Sequence, residues 1–471
     1  MKKFCKVFFA VVLCVVTMFG LVACNEPELS ATTNETTLVE SNGGSVVQYN
    51  GYLYFINGTK TNDGTGNQTG KVVQSAIYKA KCDEDGNVVL NSDGSIAQIS
   101  QVVSSLVGFS NGSLHIFGNY LYYTTPNNGK NNKGDVLYYQ TCFYRYDLTT
   151  GASQRIYTTV QNSTSEEIQF TYYKVGEKLY LLVYEQSQST ITSVEIGNNL
   201  NKKVLVDDAQ SVVFGENFGE VKNQSNNSVG EKYIYFTRAA LETGTVRTGV
   251  RVYKILPDGT GEDLLSEGES VSLLAVRSDK LLFSLNTNIY VQSISDGDDT
   301  LNFTQNQIIS LTSYENVIFV EEDDGGISLV VYETNNIRFV RLDEGKVPNA
   351  STENNRIIYT YDSSSEVEVV FVGIEGDYVV YTVSDILYKI KFQNIGQNEI
   401  NVPEKLSTTS CDEPSGLLAP EIVNGYVYFF NTTDKTTYLY RASMTTPTLD
   451  DVDDDGNRIV VGEATLVGVK E

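Results

Sequence analysis

From residue 45 onward, apolar and polar positions alternate in short runs, and the runs recur as one unit. Each unit reads as an alternating strand, a two-residue turn and a Tyr-rich second strand. The turns fall at Asn50-Gly51, Gly118-Asn119, Gly176-Glu177, Gly230-Glu231, Ser278-Asp279, Tyr314-Glu315, Gly376-Asp377 and Asn424-Gly425. The second strands after them are YLYF (52–55), YLYY (120–123), KLYLL (178–182), YIYF (233–236), KLLF (280–283), NVIF (316–319), YVVY (378–381) and YVYF (426–429). Period-two alternation predicts strands. Gly, Asn and Asp at two-residue turns predict hairpins, because these residues tolerate positive φ. A third strand follows in most units: AIYKAK (76–81), CFYRYDL (142–148), RVYKIL (251–256), NIYVQSI (288–294), ILYKIK (386–391) and YLYRAS (438–443). A weaker fourth, such as SQRIYTTV (153–160), closes several units.

The third residue of each second strand sits at 54, 122, 180, 235, 282, 318, 380 and 428, giving spacings of 68, 58, 55, 47, 36, 62 and 48 residues. A repeat of roughly 40–50 residues carrying four strands predicts a β-propeller blade. A lone four-stranded sheet leaves two faces to cover, and radial stacking covers both while leaving only short edges. The expectation is an all-β chain with one propeller over residues 45–471, built from eight four-stranded blades. Seven blades is the alternative, because the unit near 308 follows the short spacing of 36 and could share a blade with its predecessor. Loops 57–74 and 124–137, rich in Asn, Gly and Lys, account for the uneven spacing and would lie on one rim. The Tyr stripes read as packing between blades, each hydroxyl reaching a rim or backbone group. No amphipathic helix of 12 or more residues stands out.

The pairing of Tyr120-Leu121-Tyr122-Tyr123-Thr124 with Phe143-Tyr144-Arg145-Tyr146-Asp147, and of Tyr233 to Thr237 with Val252-Tyr253-Lys254, resembles the YWTD propellers of lipoprotein receptors and the related bacterial domains of unknown function. Tyr or Phe replaces the Trp of that motif, and Thr, Asn or an apolar residue its Asp. The resemblance implies the propeller fold and does not extend to receptor ligands. The chain has no Trp, which removes the WD-repeat signature and the Trp-docking motif of quinone-enzyme-like propellers. Neither a sialidase-type Asp box nor a recurring kelch-type Gly-Gly pair occurs.

The first residues follow a different rule. Lys2, Lys3 and Lys6 precede an uncharged apolar run from Val7 to Val22. The run is shorter than the roughly 20 residues a spanning helix needs, and it ends in small residues, as an export signal does. Leu21-Val22-Ala23-Cys24 resembles the lipobox of bacterial lipoproteins. That resemblance implies cleavage of residues 1–23, acyl chains on Cys24, and an extracytoplasmic protein held to the membrane through lipid. Residues 24–44 are polar and read as a tether, unless Thr36–Glu40 pairs as an edge strand.

The formal charge of −25 becomes −28 once three Lys leave with the signal. Such a surface repels nucleic acid and anionic headgroups, so no nucleic-acid partner is expected. Of six Cys, Cys5 and Cys14 leave with the signal and Cys24 takes the lipid. Cys82, Cys142 and Cys411 remain, an odd number, either as buried thiols or with one bond. Cys82–Cys411 would be the pair that ties the ends of a ring.

Little points to chemistry. His115 is the only His, so a Ser-His-Asp or Cys-His device would have to use it, and a multi-His metal site is impossible. It reads as a structural residue of an inner strand. Asp451, Asp453 and Asp455, with Gly456, match the first half of a calcium loop. The match then fails, with Ile459 ninth and Gly462 twelfth. The other reading is an acidic hairpin turn. Asp83 to Gly86 and Asp93-Gly94 read as turns. No phosphate loop, dinucleotide fingerprint, CxxC or HExxH occurs. The expected function is a membrane-anchored binding or scaffold module, monomeric, for a protein, peptide or envelope polymer. No catalytic residue is assigned. The alternative is a glycan hydrolase using two channel carboxylates some 5–10 Å apart.

Overall fold

The strand Lys178–Glu185 shows what the alternation does. Leu179, Leu181 and Val183 pack into one buried cluster with Phe117, Tyr120 and Phe143 of the preceding unit. Tyr180, Leu182 and Tyr184 pack into another with Val212, Ile234 and Phe236 of the next. A strand with both faces apolar is one sandwiched between two other sheets, each face removing about 25 cal/mol per Å² of apolar surface from water.

The computed structural model describes residues 38–40 and, apart from connecting segments, 45–467; the longest internal segments left out are 61–75, 216–231, 343–354 and 393–402. Cys24, Asp453 and Asp455 lie outside the described residues. Eight antiparallel four-stranded blades stand in a propeller ring. Blade 1 holds Val46–Tyr49, Tyr52–Ile56, Ile77–Lys81 and Ile99–Val103. Blade 2 holds His115–Phe117, Tyr120–Pro126, Thr141–Asp147 and Ser153–Thr158. Blade 3 holds Ile168–Val175, Lys178–Glu185, Thr190–Ile196 and Asn201–Val206. Blade 4 holds Ser211–Val213, Ile234–Ala239, Val250–Ile255 and Asp263–Glu269. Blade 5 holds Val271–Arg277, Lys280–Leu285, Asn288–Ser293 and Gln307–Ser310. Blade 6 holds Asn316–Glu321, Ile327–Glu333, Asn336–Leu342 and Asn355–Thr360. Blade 7 holds Val369–Glu375, Tyr378–Val383, Ile386–Lys391 and Glu404–Lys405. Blade 8 holds Glu421–Val423, Tyr426–Thr433, Thr436–Ser443 and Thr465–Leu466. One 3₁₀ turn, Gln186–Gln188, is the only helical element among the described residues.

Two sequence expectations change. NVIF (316–319) is the first strand of blade 6, not its second. The second is Ile327–Glu333. The reference position moves from Ile318 to Leu329, so the interval from Leu282 to Val380 divides into 47 and 51 residues. The irregularity that suggested seven blades came from this misassignment, because blade 6 carries two apolar runs of similar character. Gly230 and Glu231 lie outside the described residues, and the first strand of blade 4 is not the segment just before them. Its first strand, Ser211–Val213, pairs with Ile234–Ala239 through Val213 and Tyr235, so the connection is residues 214–233. The turns at Asn50-Gly51 and Asn424-Gly425 are as expected, with all four residues at positive φ.

First strands of neighbouring blades lie against one another and so ring the axis. The ring closes between blades 8 and 1. Val46, Leu53 and Phe55 share a buried cluster with Tyr428, Phe430 and Leu439. All four strands of each of these blades come from one end of the chain, so no strand is exchanged to close the circle. Thr59–Lys60 does reach across to pair with Thr436 and Thr437. The segment between the third and fourth strands of blade 8 also reaches back. Its strands Thr448–Val452 and Arg458–Val460 extend blade 7, where the fourth strand is only two residues long.

The ring has two distinct faces. The first-to-second turns and the third-to-fourth connections lie on one, the turn face. The second-to-third connections and the crossings between blades lie on the other, the crossover face. One further strand, Leu38–Glu40, pairs antiparallel with the first strand of blade 2, with Leu38 opposite Phe117 and Glu40 opposite His115. The edge-strand alternative for Thr36–Glu40 is therefore met at residues 38–40. Cys82, Cys142 and Cys411 are buried free thiols, so Cys82 and Cys411 do not tie the ring.

Candidate functional site

The antiparallel register sets one row of residues across the first three strands of each blade. In blade 2 the row is His115, Tyr122 and Arg145. In blade 8 it is Glu421, Tyr428 and Arg441. In blades 1, 4 and 7 it ends in Lys79, Lys254 and Lys389. These five cations each lie over the ring of the Tyr that opens the second strand or, in blade 4, immediately precedes it. The distances to the ring centroid are 4.6 Å for Lys79 on Tyr52, 5.1 Å for Arg145 on Tyr120, 4.8 Å for Lys254 on Tyr233, 4.4 Å for Lys389 on Tyr378 and 4.3 Å for Arg441 on Tyr426. Such contacts stabilise by about 0.5–2 kcal/mol, more when desolvated.

Two of the cations also reach the next blade. Arg145 donates through Nη2 to the carbonyl of Gly197 at 3.0 Å, and Lys389 donates through Nζ to the carbonyl of Met444 at 2.7 Å. Gly197 and Met444 occupy the same place, just after the third strand of the following blade. Arg145 and Lys389 are blade-to-blade staples, their buried charge offset by ring and carbonyl and, for Lys389, by the Glu404 carboxylate at 3.3 Å. The sequence carried a signal for them that the Tyr pattern alone concealed. An apolar residue, Tyr and then Lys or Arg recurs at 77–79, 143–145, 252–254, 387–389 and 439–441.

The same row holds the two buried titratable groups nearest the axis. Glu421 is 1% exposed. Its carboxylate accepts from the Ser45 backbone N–H, from Ser45 Oγ at 2.6 Å and from the Val46 N–H at 3.3 Å. Burial pushes its carboxyl up to about 7 against the pull of those three donors. This is the polar lock of the blade 8–blade 1 seam. Beside it Asn424 Nδ2 donates to Gln48 Oε1, and Gln48 Nε2 donates to the Gly86 carbonyl at 2.9 Å. His115 is buried with its ring centroid 4.9 Å from that of Tyr172 in blade 3, and Tyr172 lies 5.1 Å from Tyr122. Burial lowers the His115 pKa to about 3, so it stays neutral near pH 7.

The other buried carboxylates are also engaged in structure. Glu185 accepts from Tyr157 Oη at 2.6 Å and from the Val160 N–H at 2.6 Å. Asp147 accepts from the N–H groups of Thr149 and Thr150 at 2.8 and 3.1 Å, capping the turn between strands. Burial raises the Cys82 and Cys411 thiols, which makes them poor nucleophiles. Among the described residues no three His, Cys, Asp or Glu side chains are grouped to hold a metal ion.

Asp451 falls in the strand Thr448–Val452, whereas Asp453 and Asp455 lie outside the described residues. Related turns are described elsewhere. At Asp83-Glu84-Asp85-Gly86-Asn87 the Asp83 carboxylate accepts from the N–H groups of Asp85 and Asn87. At Asn131 to Asp135 the Asn131 side-chain oxygen does the same for Lys133 and Asp135. In both, the first side chain caps the turn by accepting from two of its N–H groups.

On the crossover face of blade 2, Val136, Tyr138 and Val160 are 39%, 45% and 47% exposed. Gln140 donates to the carbonyl of Gln161 at 3.3 Å, which brings their two loops together. This is an exposed apolar and aromatic cluster beside the polar Asn-rich turn that precedes it.

No protein-family model matches the chain, and no curated protein sequence matches it. Solved structures similar to it include one of two prolyl endopeptidases analysed together (9% identity, 89% of this chain and 55% of that one, TM-score 0.44). Another is the dipeptidyl peptidase 4 of Porphyromonas gingivalis (10% identity, 89% and 59%, TM-score 0.44). A third is the β-propeller domain of the trilobed protease from Pyrococcus furiosus (11% identity, 79% and 98%, TM-score 0.40). The chain spans little more than half the length of the two peptidase structures. Similarity this distant says nothing about activity or ligand.

Proposed function

We propose that the chain is an exported bacterial lipoprotein, cut before Cys24 and held to the membrane by acyl chains there. In this reading residues 24–44 link the lipid to a single propeller domain at 45–471. The domain serves as a monomeric binding or scaffold module for a protein, peptide or envelope polymer. The observation that carries the reading is Leu21-Val22-Ala23-Cys24 behind a charged start and a short apolar run. Two acyl chains suffice for stable anchoring, and no helix among the described residues is long and apolar enough to cross a membrane. A binding role, rather than catalysis, is favoured by the work already done by the buried groups. Glu421, Glu185, Asp147 and His115 all serve packing and seams. The resemblance to YWTD-like bacterial domains belongs to the same reading. Asp451, Asp453 and Asp455 are where it would seat a calcium ion.

The test has two parts. Cys24→Ala should abolish incorporation of labelled palmitate and move the protein from the membrane to the soluble fraction. Crosslinking on intact cells, followed by mass spectrometry, should enrich one partner over an unrelated lipidated control. A Cys24→Ala protein that stays lipidated would sink the anchor; enrichment no greater than the control's would sink the binding role.

A further inference from the structure

Where blade 2 meets blade 3, the row of His115, Tyr122 and Arg145 faces Tyr172. Tyr172 belongs to the first strand of blade 3 and packs back onto Tyr120 and Tyr122. Its ring centroid lies 5.1 Å from that of Tyr122 and 4.9 Å from that of His115. Arg145 stands directly opposite Tyr122 in the strand register. In blades 1, 2 and 4 the residue just before the row position of the first strand is Val46, Leu114 or Val212, all buried. Those interfaces close with an apolar group where this one brings a hydroxyl.

Tyr122, Arg145 and Tyr172 are each at most 1% exposed. Yet Tyr122 Oη, Tyr172 Oη and Arg145 Nη1 have no hydrogen-bond partner among the described residues. Burial raises the pKa of both Tyr hydroxyls, so each keeps its proton and can donate it. Against that rise the Arg145 charge pulls the Tyr122 value down, as a guanidinium close to the hydroxyl does.

The rest of the guanidinium meets neutral acceptors, Gln154 Oε1 at 2.9 Å and the Gly197 carbonyl at 3.0 Å. These and the Tyr120 ring offset its charge only in part. The buried Lys of the same row do have carboxylates: Asp263 lies 3.8 Å from Lys254, and Glu404 lies 3.3 Å from Lys389. No ion pair among the described residues includes Arg145. Asp147, two residues on, serves the N–H groups of Thr149 and Thr150 instead. Three donors and a cation without a counter-charge thus share one dry interface. A buried charge left so is costly, and hydrogen bonds to an ionised acceptor are the strong ones.

We propose that Tyr122 Oη, Tyr172 Oη and Arg145 Nη1 form a binding site for a small monovalent anion of halide size, such as chloride, which acts as the counter-ion of Arg145 and ties blade 2 to blade 3. Charge favours this over water, which would accept from the same donors and leave the guanidinium uncompensated. Burial favours it over sulfate, phosphate or a carboxylate ligand, because none of the three side chains opens to solvent.

The test uses the purified full-length chain. Thermal unfolding midpoints are compared in sodium chloride, sodium bromide and sodium isethionate at equal ionic strength, so that general screening of the acidic surface is constant. The midpoint should rise with chloride or bromide and not with isethionate, because a ligand of the folded state raises stability as its concentration passes the dissociation constant. Tyr172→Phe keeps the ring and removes one donor. It should raise the halide dissociation constant obtained from those midpoints by about tenfold or more. Tyr122→Phe is the second variant, with the same expectation, should the first fail to fold. In crystals grown from protein purified in sodium bromide, anomalous scattering should show bromide between the two hydroxyls and Arg145. Equal midpoints in the three salts, or a halide response unchanged by the Tyr→Phe variants, would overturn the site. So would ordered water there without an anomalous peak. A bromide peak without a response in solution would mean binding at crystal concentration only and would count against it equally.

Discussion

Glu421 and His115 occupy equivalent row positions, and burial moves them in opposite senses. The Glu421 carboxyl titrates near 7 in the folded chain and near 4.5 when unfolded. The folded state then binds the extra proton between those values, so stability falls as pH rises from about 4.5 to 7. The full change is on the order of 3 kcal/mol. His115 titrates near 3 folded and near 6.5 unfolded. There the unfolded state takes the proton first, so stability falls as pH drops below about 6.5. Between pH 4.5 and 6.5 the two slopes oppose. The wild-type chain should change little from these two groups in that window. Glu421→Gln removes one slope and should lose on the order of 2–3 kcal/mol more than wild type on acidification from pH 6.5 to 4.5. Urea unfolding at the two pH values measures this, and parallel pH profiles for the two proteins would contradict it. His115 could be singled out in the sequence because it is the only one. Glu421 could not, because burial is set by the neighbouring blade and 59 acidic residues look alike along the chain.

At the scale of elements, glycine separates two kinds of turn. Gly425 lies at φ +73 with open space where a Cβ would stand. Gly249 lies at φ +78 where a Cβ would come within 2.3 Å of the Gly268 carbonyl oxygen, backbone against backbone. Gly425→Ala should therefore cost about 1–2 kcal/mol, the left-handed conformation alone. Gly249→Ala should cost clearly more, because blade 4 must shift its third and fourth strands apart. Thermal unfolding of the two variants side by side is the measurement, and equal losses would contradict the close approach. The hairpin turns were legible at most units because their chemistry is local. The error in blade 6 arose because NVIF and ISLVVYE are both good strands, and only pairing with a neighbour decides which lies innermost. The 214–233 connection of blade 4 escaped for the same reason. Gly230-Glu231 has turn chemistry, but the strand that pairs lies farther back.

For the whole molecule, closure is the weak point of a ring. Blades 8 and 1 meet without a shared strand in either four-stranded core, held by apolar packing, the Glu421 carboxylate and the Gln48–Asn424 contact. The seam should open before the blades do, since local opening follows the weakest set of contacts. In native-state hydrogen exchange the amides of Ser45 and Val46 should exchange faster than those of Leu181 and Leu182, which lie between two complete blades. Slower exchange at the seam would show that closure is stronger than its contacts suggest. Determined by the sequence alone were the all-β character, the recurrence of the blade, most of its hairpins and the export-like start. Each of these rests on alternation, turn chemistry or charge within a few residues of itself. The tertiary structure decided the strand order in blade 6, the row of cations over Tyr rings, the Glu421 seam and the pairing of Leu38–Glu40 with the first strand of blade 2. Those depend on which blade comes to lie beside which, and packing between residues as much as 376 positions apart leaves no mark in a local pattern.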